Sequence, residues 1–413
     1  MEGEAPRRSI LNVNSEIGKL KVVLLHRPGK ELERLTPEYL RQLLFDDIPW
    51  LKQMRIEHDE FADVLRQRGT QVLYVEDLLA EVLNNIEVNK SFINDLLRQS
   101  KIDNLELYEI LYDHLYQKSP DELVEIAISG LQKDQISCGE REYSLSDYID
   151  ADYPLYINPI PNLYFMRDPA AVIGDGISVN SMHTDARRRE PMLIKYIYEY
   201  HPLFNKDESP LWYDYTIPHS LEGGDMLVLS KEVLAIGCSE RTSAQGIEIL
   251  ARNLFKGKKE LREIIAVRIP PLRAFMHLDT VFTMVDYDKF TIYPGIQDKV
   301  EVYRLVRGKN DGIKVIPEQE LIDTLKKSLK IPTVKLIESG GGDPVTAARE
   351  QWNDSTNTLA IAPGVVVTYS RNEASNEVLR KNGIEVVEID GSELVRGRGG
   401  PRCMSMPLNR EEV

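Results

Sequence analysis

Apolar residues in the N-terminal part of the chain follow two different periods, one typical of strands and one typical of helices. Residues 20–26 alternate and then run apolar before a proline and a glycine, which predicts a strand that a turn terminates. Residues 50–68 have helical spacing with Gly69 as the expected C-cap, and residues 71–75 predict a second strand. This part of the chain is therefore predicted to fold as strand, helix and strand.

Residues 77–149 differ because leucine and isoleucine recur at helical spacing through the block. Ser119 followed by Pro120 predicts one helix start, since proline suits the first helical position. No strand is predicted here. The sequence thus predicts a first α/β part at 1–76, an inserted all-helical subdomain at 77–149 and a second α/β part at 150–413 that carries the candidate chemical groups. The five predicted helices of the block cover 77–89, 91–99, 104–117, 120–129 and 144–148.

From residue 150 onward a unit recurs in which a hairpin leads through a loop into a helix and then a strand. Hairpins are predicted at 170–180, 226–236, 280–293 and 358–369. The helices that follow them are predicted to end at 200, to cover 244–255, to lie near 297–307 and to end at 382. The closing strands are predicted at 264–269, 314–316 and 384–389.

With the N-terminal strand, helix and strand, the count is five units of the ββαβ type in an α/β chain. A repeated unit buries its apolar face on its neighbours, so five copies predict a closed ring. An open α/β sheet is the alternative that periodicity leaves open.

Composition narrows the class of protein. The chain has 413 residues, of which 42% are hydrophobic, so it can bury a sizeable core. A net charge of −15 argues against nucleic acid or an anionic membrane as a partner. The apolar runs are too short to span a bilayer, and the first residues lack the apolar region of a signal peptide. A cytoplasmic protein is therefore expected.

The repeat also carries charged residues at fixed spacing. Asp168 opens the first hairpin unit and Glu222 the second, and Arg187 and Arg241 each follow nineteen residues later. A carboxylate before a hairpin and an arginine after it are expected at the same end of a unit. In a ring, both pairs would point to the centre.

Cys403 is the strongest candidate nucleophile. It lies among glycines, a proline and two arginines near residue 400, and nearby cationic charge favours the reactive thiolate. The alternative is a buried structural cysteine, which is the interpretation preferred for Cys138 and Cys238. Three distant cysteines offer neither a disulfide framework nor zinc spacing.

His277 and Asp279 form a second candidate pair. Strand-like alternation puts both side chains on one face, and histidine is the usual general acid/base. Asp168 is followed by a proline, which restricts it to extended backbone and gives its carboxylate a defined direction. A catalytic zinc needs three protein ligands, and this pair supplies two, so no metal is expected.

Glu222 and Asp225 flank two glycines, which indicate either no more than a bulge or tight turn, or a carboxylate that orients His277. Taken together, the candidates are one thiol, one imidazole, several carboxylates and several arginines. Carboxylates only accept hydrogen bonds, so a group of them favours a guanidinium ligand. The arginines, with Arg398 among them, favour an anion on the same molecule, and free L-arginine has both groups.

Four motifs in this order resemble those of the arginine deiminase family, in the guanidino-group-modifying or pentein superfamily. The resemblance covers almost the whole chain, and it implies a five-bladed α/β propeller with a helical insertion. The motifs are Phe165-Met166-Arg167-Asp168-Pro169, Glu222-Gly223-Gly224-Asp225, His277-Leu278-Asp279 and Gly400-Pro401-Arg402-Cys403-Met404-Ser405-Met406-Pro407.

The resemblance implies hydrolysis of free L-arginine to L-citrulline and ammonia, the first step of an arginine degradation pathway, through an S-alkylthiouronium on Cys403. No cofactor is implied, and a homo-oligomer is expected. The implied roles are nucleophile for Cys403, acid/base for His277, partner of that histidine for Glu222, guanidinium clamp for Asp168 and Asp279, and substrate binding for Asn162, Phe165, Arg187, Arg241, Gly397 and Arg398.

Other functions remain open from the sequence. An amidinotransferase would use the same nucleophile but would pass the amidino group to an amine. An agmatine deiminase would have no use for the carboxylate-binding arginines. A non-catalytic guanidine-binding protein and a metal-dependent ureohydrolase are the alternatives from other classes.

Overall fold

The computed structural model describes residues 9–137, 144–149, 152–310 and 312–413. The described part of the chain combines helices and strands, as expected for an α/β protein. The α-helices are α1 (Leu51–Gln67), α2 (Val75–Leu83), α3 (Ile86–Gln99), α4 (Leu105–Tyr116), α5 (Pro120–Ser129), α6 (Leu145–Ile149), α7 (Glu190–Tyr200), α8 (Ala244–Gly257), α9 (Leu321–Leu329), α10 (Pro344–Gln351) and α11 (Glu373–Lys381).

The strands belong to six sheets in the described part of the chain. They are β1 (Leu20–Leu25), β2 (Gln71–Tyr74), β3 (Leu131–Gln132), β4 (Leu155–Ile157), β5 (Ala170–Ile173), β6 (Gly176–Val179), β7 (Leu211–Tyr213), β8 (Met226–Ser230), β9 (Val233–Cys238), β10 (Glu263–Arg268), β11 (Phe282–Met284), β12 (Lys289–Ile292), β13 (Glu301–Arg307), β14 (Ile313–Glu318), β15 (Lys335–Glu338), β16 (Leu359–Ala362), β17 (Val365–Tyr369), β18 (Glu385–Ile389) and β19 (Met406–Arg410).

Five of these sheets share one arrangement. One strand in each of them pairs antiparallel with one neighbour, which is the preceding strand in four of the five, and parallel with a strand that follows a helix. These strands are β1, β6, β9, β12 and β17. The four hairpins expected after residue 150 are therefore confirmed as antiparallel pairs.

The N-terminal unit takes its outer strand from the other end of the chain. β19 pairs antiparallel with β1, so that Leu20 lies opposite Arg410 and Leu24 opposite Met406. β2 completes the sheet on the parallel side, after α1. The segment that contains Cys403 is thus anchored to the first strand of the chain.

The sequence interpretation was wrong in the third unit. The helix expected near 297–307 is strand β13, and β14, which contains the expected closing strand 314–316, pairs with β13 at the edge of the preceding sheet. β15 is the strand that closes the unit, parallel to β12. The buried positions Val302 and Leu305 of β13 are three apart and mimic helical spacing, but pairing with β10 decides the structure.

The helical block contains α2 to α6 and packs against the hairpin units rather than standing apart. Leu79 and Phe92 share one apolar core with Ile177 and Leu250. Ser119 caps α5, accepting a hydrogen bond from the Glu122 amide as the sequence predicted for this helix start.

The description of this block as all-helical was wrong at one point, because the two-residue strand β3 pairs with β4. This short strand pair lies where the chain returns from the helical block to the hairpin units. Cys138 lies outside the described residues. Among the described residues, no helix combines the length and apolar character needed to cross a bilayer.

Candidate active site

Four candidate residues lie at equivalent places in their units, two to four residues before the first strand of the hairpin. Asp168 precedes β5, Glu222 precedes β8, Asp279 precedes β11 and Cys403 precedes β19. Tight turns shape two of these loops, at Gly223–Asp225 and Leu278–Thr280. The fold therefore brings together residues that are far apart in the sequence.

His277 lies between two carboxylates. Its Nε2 is 2.8 Å from Oε2 of Glu222, and its Nδ1 is 3.7 Å from Oδ1 of Asp168. Burial opposes the charged ring, but Asp168, the hydrogen bond to Glu222 and the nearby Asp225 outweigh it and raise the pKa of His277 to about 10. The imidazole is therefore protonated at neutral pH.

Glu222 is the complementary anion. Burial opposes its charge, but the hydrogen bond and charge of His277, with Arg241 as a further cation, lower its pKa to about 2. Its Oε1 also accepts the backbone N–H of His183 at 2.9 Å. The interpretation of Glu222 as a carboxylate that orients His277 matches this geometry.

The glycine pair next to Glu222 gives space for this arrangement. A Cβ on Gly224 would lie 2.7 Å from both Oδ1 of Asp168 and Nδ1 of His277. The Gly224 amide donates to Oδ1 of Asp168 at 3.1 Å. The pair forms a tight turn rather than a bulge, and Asp225 beyond it accepts the amide of Leu278 at 2.8 Å.

Cys403 is 3% exposed, and its Sγ lies 3.8 Å from Oδ2 of Asp279. Burial and then the charges of Asp279, Asp168 and Asp354 raise the pKa of the thiol well above its usual value. The sequence could not rank the nearby acids against the arginines, and in the structure burial and the carboxylates outweigh the cationic charge. The resting side chain is a neutral thiol.

Asp279 has one occupied and one open oxygen. Oδ2 accepts from Nη1 of Arg402 at 2.7 Å, and Arg402 also donates to Glu16. Oδ1 is buried without a hydrogen-bond donor among the described residues. An unpaired buried acceptor is costly, so a ligand N–H donor at this position would be stabilised.

Arg187 and Arg241 differ in their surroundings. Nη1 of Arg187 donates to Asp168 at 2.5 Å, its Nε donates to Glu190 at 3.0 Å, and Nη2 donates to Glu190 and to two backbone carbonyls. Nε of Arg241 is buried without an acceptor in the described structure, and its Nη2 lies 3.6 Å from the Sδ of Met276. Arg241 therefore offers hydrogen-bond donors to the cavity, whereas those of Arg187 are engaged.

The remaining predicted residues form the wall of the cavity. Asn162 donates to the carbonyl of Leu43 at 2.7 Å. The guanidinium of Arg398 lies 3.4 Å from the ring centre of Trp352. The cleft is lined by Leu44, Asn162, Phe165, Asp168, Arg187, Arg241, Met276, His277, Thr280, Gly397, Arg398 and Cys403.

All eleven predicted site residues therefore lie in or directly against one cavity. Glu222 and Asp279 do not line it themselves but contact His277 and Cys403, which do. Sequence reasoning missed Leu44, Met276 and Thr280 in the lining. The triplet that identified His277 directly follows Met276 and precedes Thr280, but no chemical signal singled out Leu44, which reaches the site from a distant loop.

Asp168, Glu222 and His277 are also grouped closely enough to hold a metal ion. Both ring nitrogens of His277, however, already face carboxylates, Nε2 that of Glu222 at 2.8 Å and Nδ1 that of Asp168 at 3.7 Å. Asp168 is further paired with Arg187. The donor set fits a proton-bearing histidine better than a metal ligand.

The comparisons with known proteins indicate the same family over nearly the whole chain. A family model described as arginine deiminase matches residues 41–410. The arginine deiminase of Bacillus cytotoxicus is 50% identical over 407 residues, which covers 98% of this chain and 99% of that protein. The arginine deiminase of Latilactobacillus sakei is 51% identical over 409 residues, with the same coverage.

Solved structures share the fold at low sequence identity. The N-terminal domain of ArgZ, an arginine dihydrolase from the ornithine-ammonia cycle in cyanobacteria, matches with a TM-score of 0.54 at 11% identity and covers 94% of this chain and 97% of its own. A dimethylarginine dimethylaminohydrolase matches with a TM-score of 0.53 at 14% identity and covers 94% and 99%. The matched length and the identity to the two bacterial enzymes lead to one conclusion: the chain belongs to the arginine deiminase family.

Proposed function

We propose that this chain hydrolyses free L-arginine to L-citrulline and ammonia. The observation that carries the proposal is a single cavity lined by a thiol, a protonated imidazole, the carboxylate of Asp168 and the guanidinium of Arg241, with Glu222 and Asp279 directly against the imidazole and the thiol. Family membership supports the same activity.

The substrate guanidinium is placed between Asp168 and Asp279. A guanidinium has five N–H donors, and the open Oδ1 of Asp279 is an acceptor for one of them. At the other end of the substrate, Arg241 binds the α-carboxylate through its unused donors. Arg187 holds Asp168 in position instead, because its own donors are engaged.

Substrate binding activates the nucleophile. The guanidinium brings a positive charge beside Sγ of Cys403 and offsets the carboxylates that keep the thiol neutral. The thiol proton leaves to solvent, and the thiolate forms a bond to the guanidinium carbon. The positive charge of the substrate thus promotes ionisation of the thiol that attacks it.

His277 then handles the protons. Its Nε2 is held by Glu222, so Nδ1 is the nitrogen that can face the substrate. It protonates the departing nitrogen, the C–N bond breaks, and ammonia leaves an S-alkylthiouronium on Cys403. General acid/base catalysis of this kind raises the reaction rate by ~10²–10⁴-fold.

Hydrolysis completes the cycle. The neutral imidazole takes a proton from water, and the hydroxyl adds to the thiouronium carbon. Collapse breaks the C–S bond, releases citrulline and leaves the thiolate. Two protons are released in the cycle, one from the thiol when substrate binds and one from the hydroxyl when citrulline forms. One of them restores the thiol and the other converts ammonia to ammonium, so the reaction needs no cofactor.

The direct test is a colorimetric citrulline assay of the reduced protein with free L-arginine, with ammonia measured in parallel. An amidinotransferase would release ornithine only when an acceptor amine is present. Absence of both products would contradict the proposal and favour a guanidine-binding protein. Activity that is lost to a chelator and restored by a metal would favour a metal-dependent ureohydrolase.

The pH dependence of Cys403 alkylation is expected to respond to Asp279. Iodoacetamide reacts with the thiolate, and Asp279→Asn removes the largest charge that opposes thiolate formation. The pKa of the thiol therefore falls, and the alkylation profile moves to lower pH. Asp323→Asn, an exposed acid on α9, is the matched control. An unchanged profile in Asp279→Asn would show that this carboxylate does not control the thiol.

Substrate selectivity is expected to depend on Arg241. Hydrogen bonds to a charged group contribute ~1.5–3 kcal/mol, so Arg241→Ala should lower kcat/KM for arginine by ~10–100-fold. Agmatine lacks the α-carboxylate and should be a poor substrate of the wild type, with little further loss in the variant. Arg252→Ala, an exposed arginine on α8, is the control. Equal losses on both substrates would exclude the carboxylate contact.

We also propose that the five units close into a five-bladed α/β propeller, with 77–149 inserted between 1–76 and 150–413. The pairing of β19 with β1 supports this closure, since it brings the segment that follows the last unit along the chain into the sheet of the first unit. A homo-oligomer and a cytoplasmic location stay predictions from the sequence. Sedimentation velocity of the purified protein tests the first of these two.

A further inference from the structure

We propose that Asn357 is a positioning residue for the nucleophile and the contribution of the fourth unit to the site. This inference rests on the proposed function. Asp168, Glu222, Asp279 and Cys403 each occupy the loop before the first strand of their unit. In the remaining unit that strand is β16, which begins at Leu359, and Asn357 lies two residues before it.

The side chain of Asn357 joins two catalytic loops. Its Oδ1 accepts the backbone N–H of Cys403 at 2.9 Å, and its Nδ2 donates to the backbone carbonyl of Asp279 at 3.3 Å. Asn357 is 1% exposed and does not line the cavity. It therefore acts on the nucleophile and on the clamp without touching the substrate.

The main chain of Asn357 strengthens the same connection. Its carbonyl accepts the amide of Arg402, the neighbour of Cys403. A Cβ on Gly400 would lie 2.7 Å from this carbonyl, so the glycine permits the close approach of the two loops. The backbone N–H of Asn357 in turn donates to the backbone carbonyl of Asp354 at 3.0 Å.

The preceding residues fix this loop against the loop of Asp279. Thr356 donates through its hydroxyl to the carbonyl of Thr280, and Gln351 donates to the same carbonyl at 2.5 Å. Both side chains are buried. These contacts hold the backbone of Asn357 in place. Its side-chain amide therefore sets the distance between Sγ of Cys403 and the carboxylate of Asp279.

Replacing Asn357 by alanine removes both amide contacts and leaves the cavity lining intact. Misplacement of a reacting group by ~1 Å can cost ~10²-fold in rate. We expect Asn357→Ala to lower kcat for arginine by ~10–100-fold while KM stays close to the wild-type value. Iodoacetamide, which needs no alignment with a bound substrate, should still alkylate Cys403 at high pH.

Asn376→Ala is the matched control. Asn376 is also 1% exposed and its amide also makes several hydrogen bonds, to Thr368, Tyr369 and Glu388, but it lies on α11 away from the cavity. It should lower the thermal midpoint by a similar amount and leave kcat unchanged. A similar loss of kcat in both variants would overturn the proposal, because the loss would then follow stability.

Asn357→Asp provides a second variant of the same shape if the alanine variant does not fold. It keeps an acceptor for the Cys403 amide and loses the donor to the Asp279 carbonyl, so kcat should still fall by ~10-fold or more. A kcat above half of the wild-type value in the folded variant overturns the positioning role. Citrulline release by the wild type tests the proposed function separately.

Discussion

Cys403→Ser is expected to abolish citrulline release, with kcat lowered by ~10⁴-fold or more, the scale that follows loss of a catalytic nucleophile. The physical reason is that an unassisted serine hydroxyl is a far weaker nucleophile than a thiolate. His277 is already protonated, and Asp279 is bound by Arg402. The hydroxyl stays neutral even when the guanidinium is bound, whereas the thiol ionises.

The measurement is citrulline formation under conditions where arginine saturates the enzyme. Cys238→Ser is the control, because Cys238 lies at the end of β9 and is free and partly buried. Mass spectrometry of wild-type protein quenched with arginine should detect an adduct on the peptide that contains Cys403. Substantial turnover by Cys403→Ser would rule out the covalent mechanism.

His277→Ala is expected to give the second largest loss, ~10²–10⁴-fold in kcat. Without the ring, no group protonates the departing nitrogen, and no group accepts the proton of water in the second half. The second half can be measured alone by following decay of the thiouronium adduct after rapid mixing. Decay at the wild-type rate would remove His277 from the hydrolytic step.

Glu222→Gln tests the same histidine by pH. Glu222 raises the pKa of His277 through a hydrogen bond and its charge, so its removal lowers that pKa. The proton on His277 is present below its pKa and is lost as pH rises through it. The alkaline decline of activity, expected near pH 10 in the wild type, should move to lower pH in the variant. The opposite shift would contradict the assignment.

The equal spacing of the two acid–arginine pairs predicted that each pair would lie at one end of its unit, and all four residues do lie in or directly against the cavity. Asp168 and Arg187 form a buried ion pair at 2.5 Å, as expected for residues at one end of a unit. Glu222 binds the ring of His277 instead of Arg241. Equal spacing predicts the position of a residue within its unit. The hydrogen-bond partner of its side chain depends instead on the charged residues that other units contribute to the site.

The predictions of the fold that were wrong have a similar cause. Local periodicity predicts a helix where β13 lies, because the burial of its residues depends on the neighbouring sheet and not on the local sequence. Leu44 and Asn357 escaped notice because neither carries a chemical signature in the sequence. Both enter the site through long-range packing.

The pairing of β1 with β19 has a consequence for how the molecule acquires activity. Contacts between residues so distant along the chain carry a high loop-closure cost and form slowly. Cys403 lies three residues before β19, so catalytic competence and capture of this strand belong to the same late folding event. During biosynthesis, the polypeptide would remain inert until β19 docks on β1, and partly folded chains would not consume arginine.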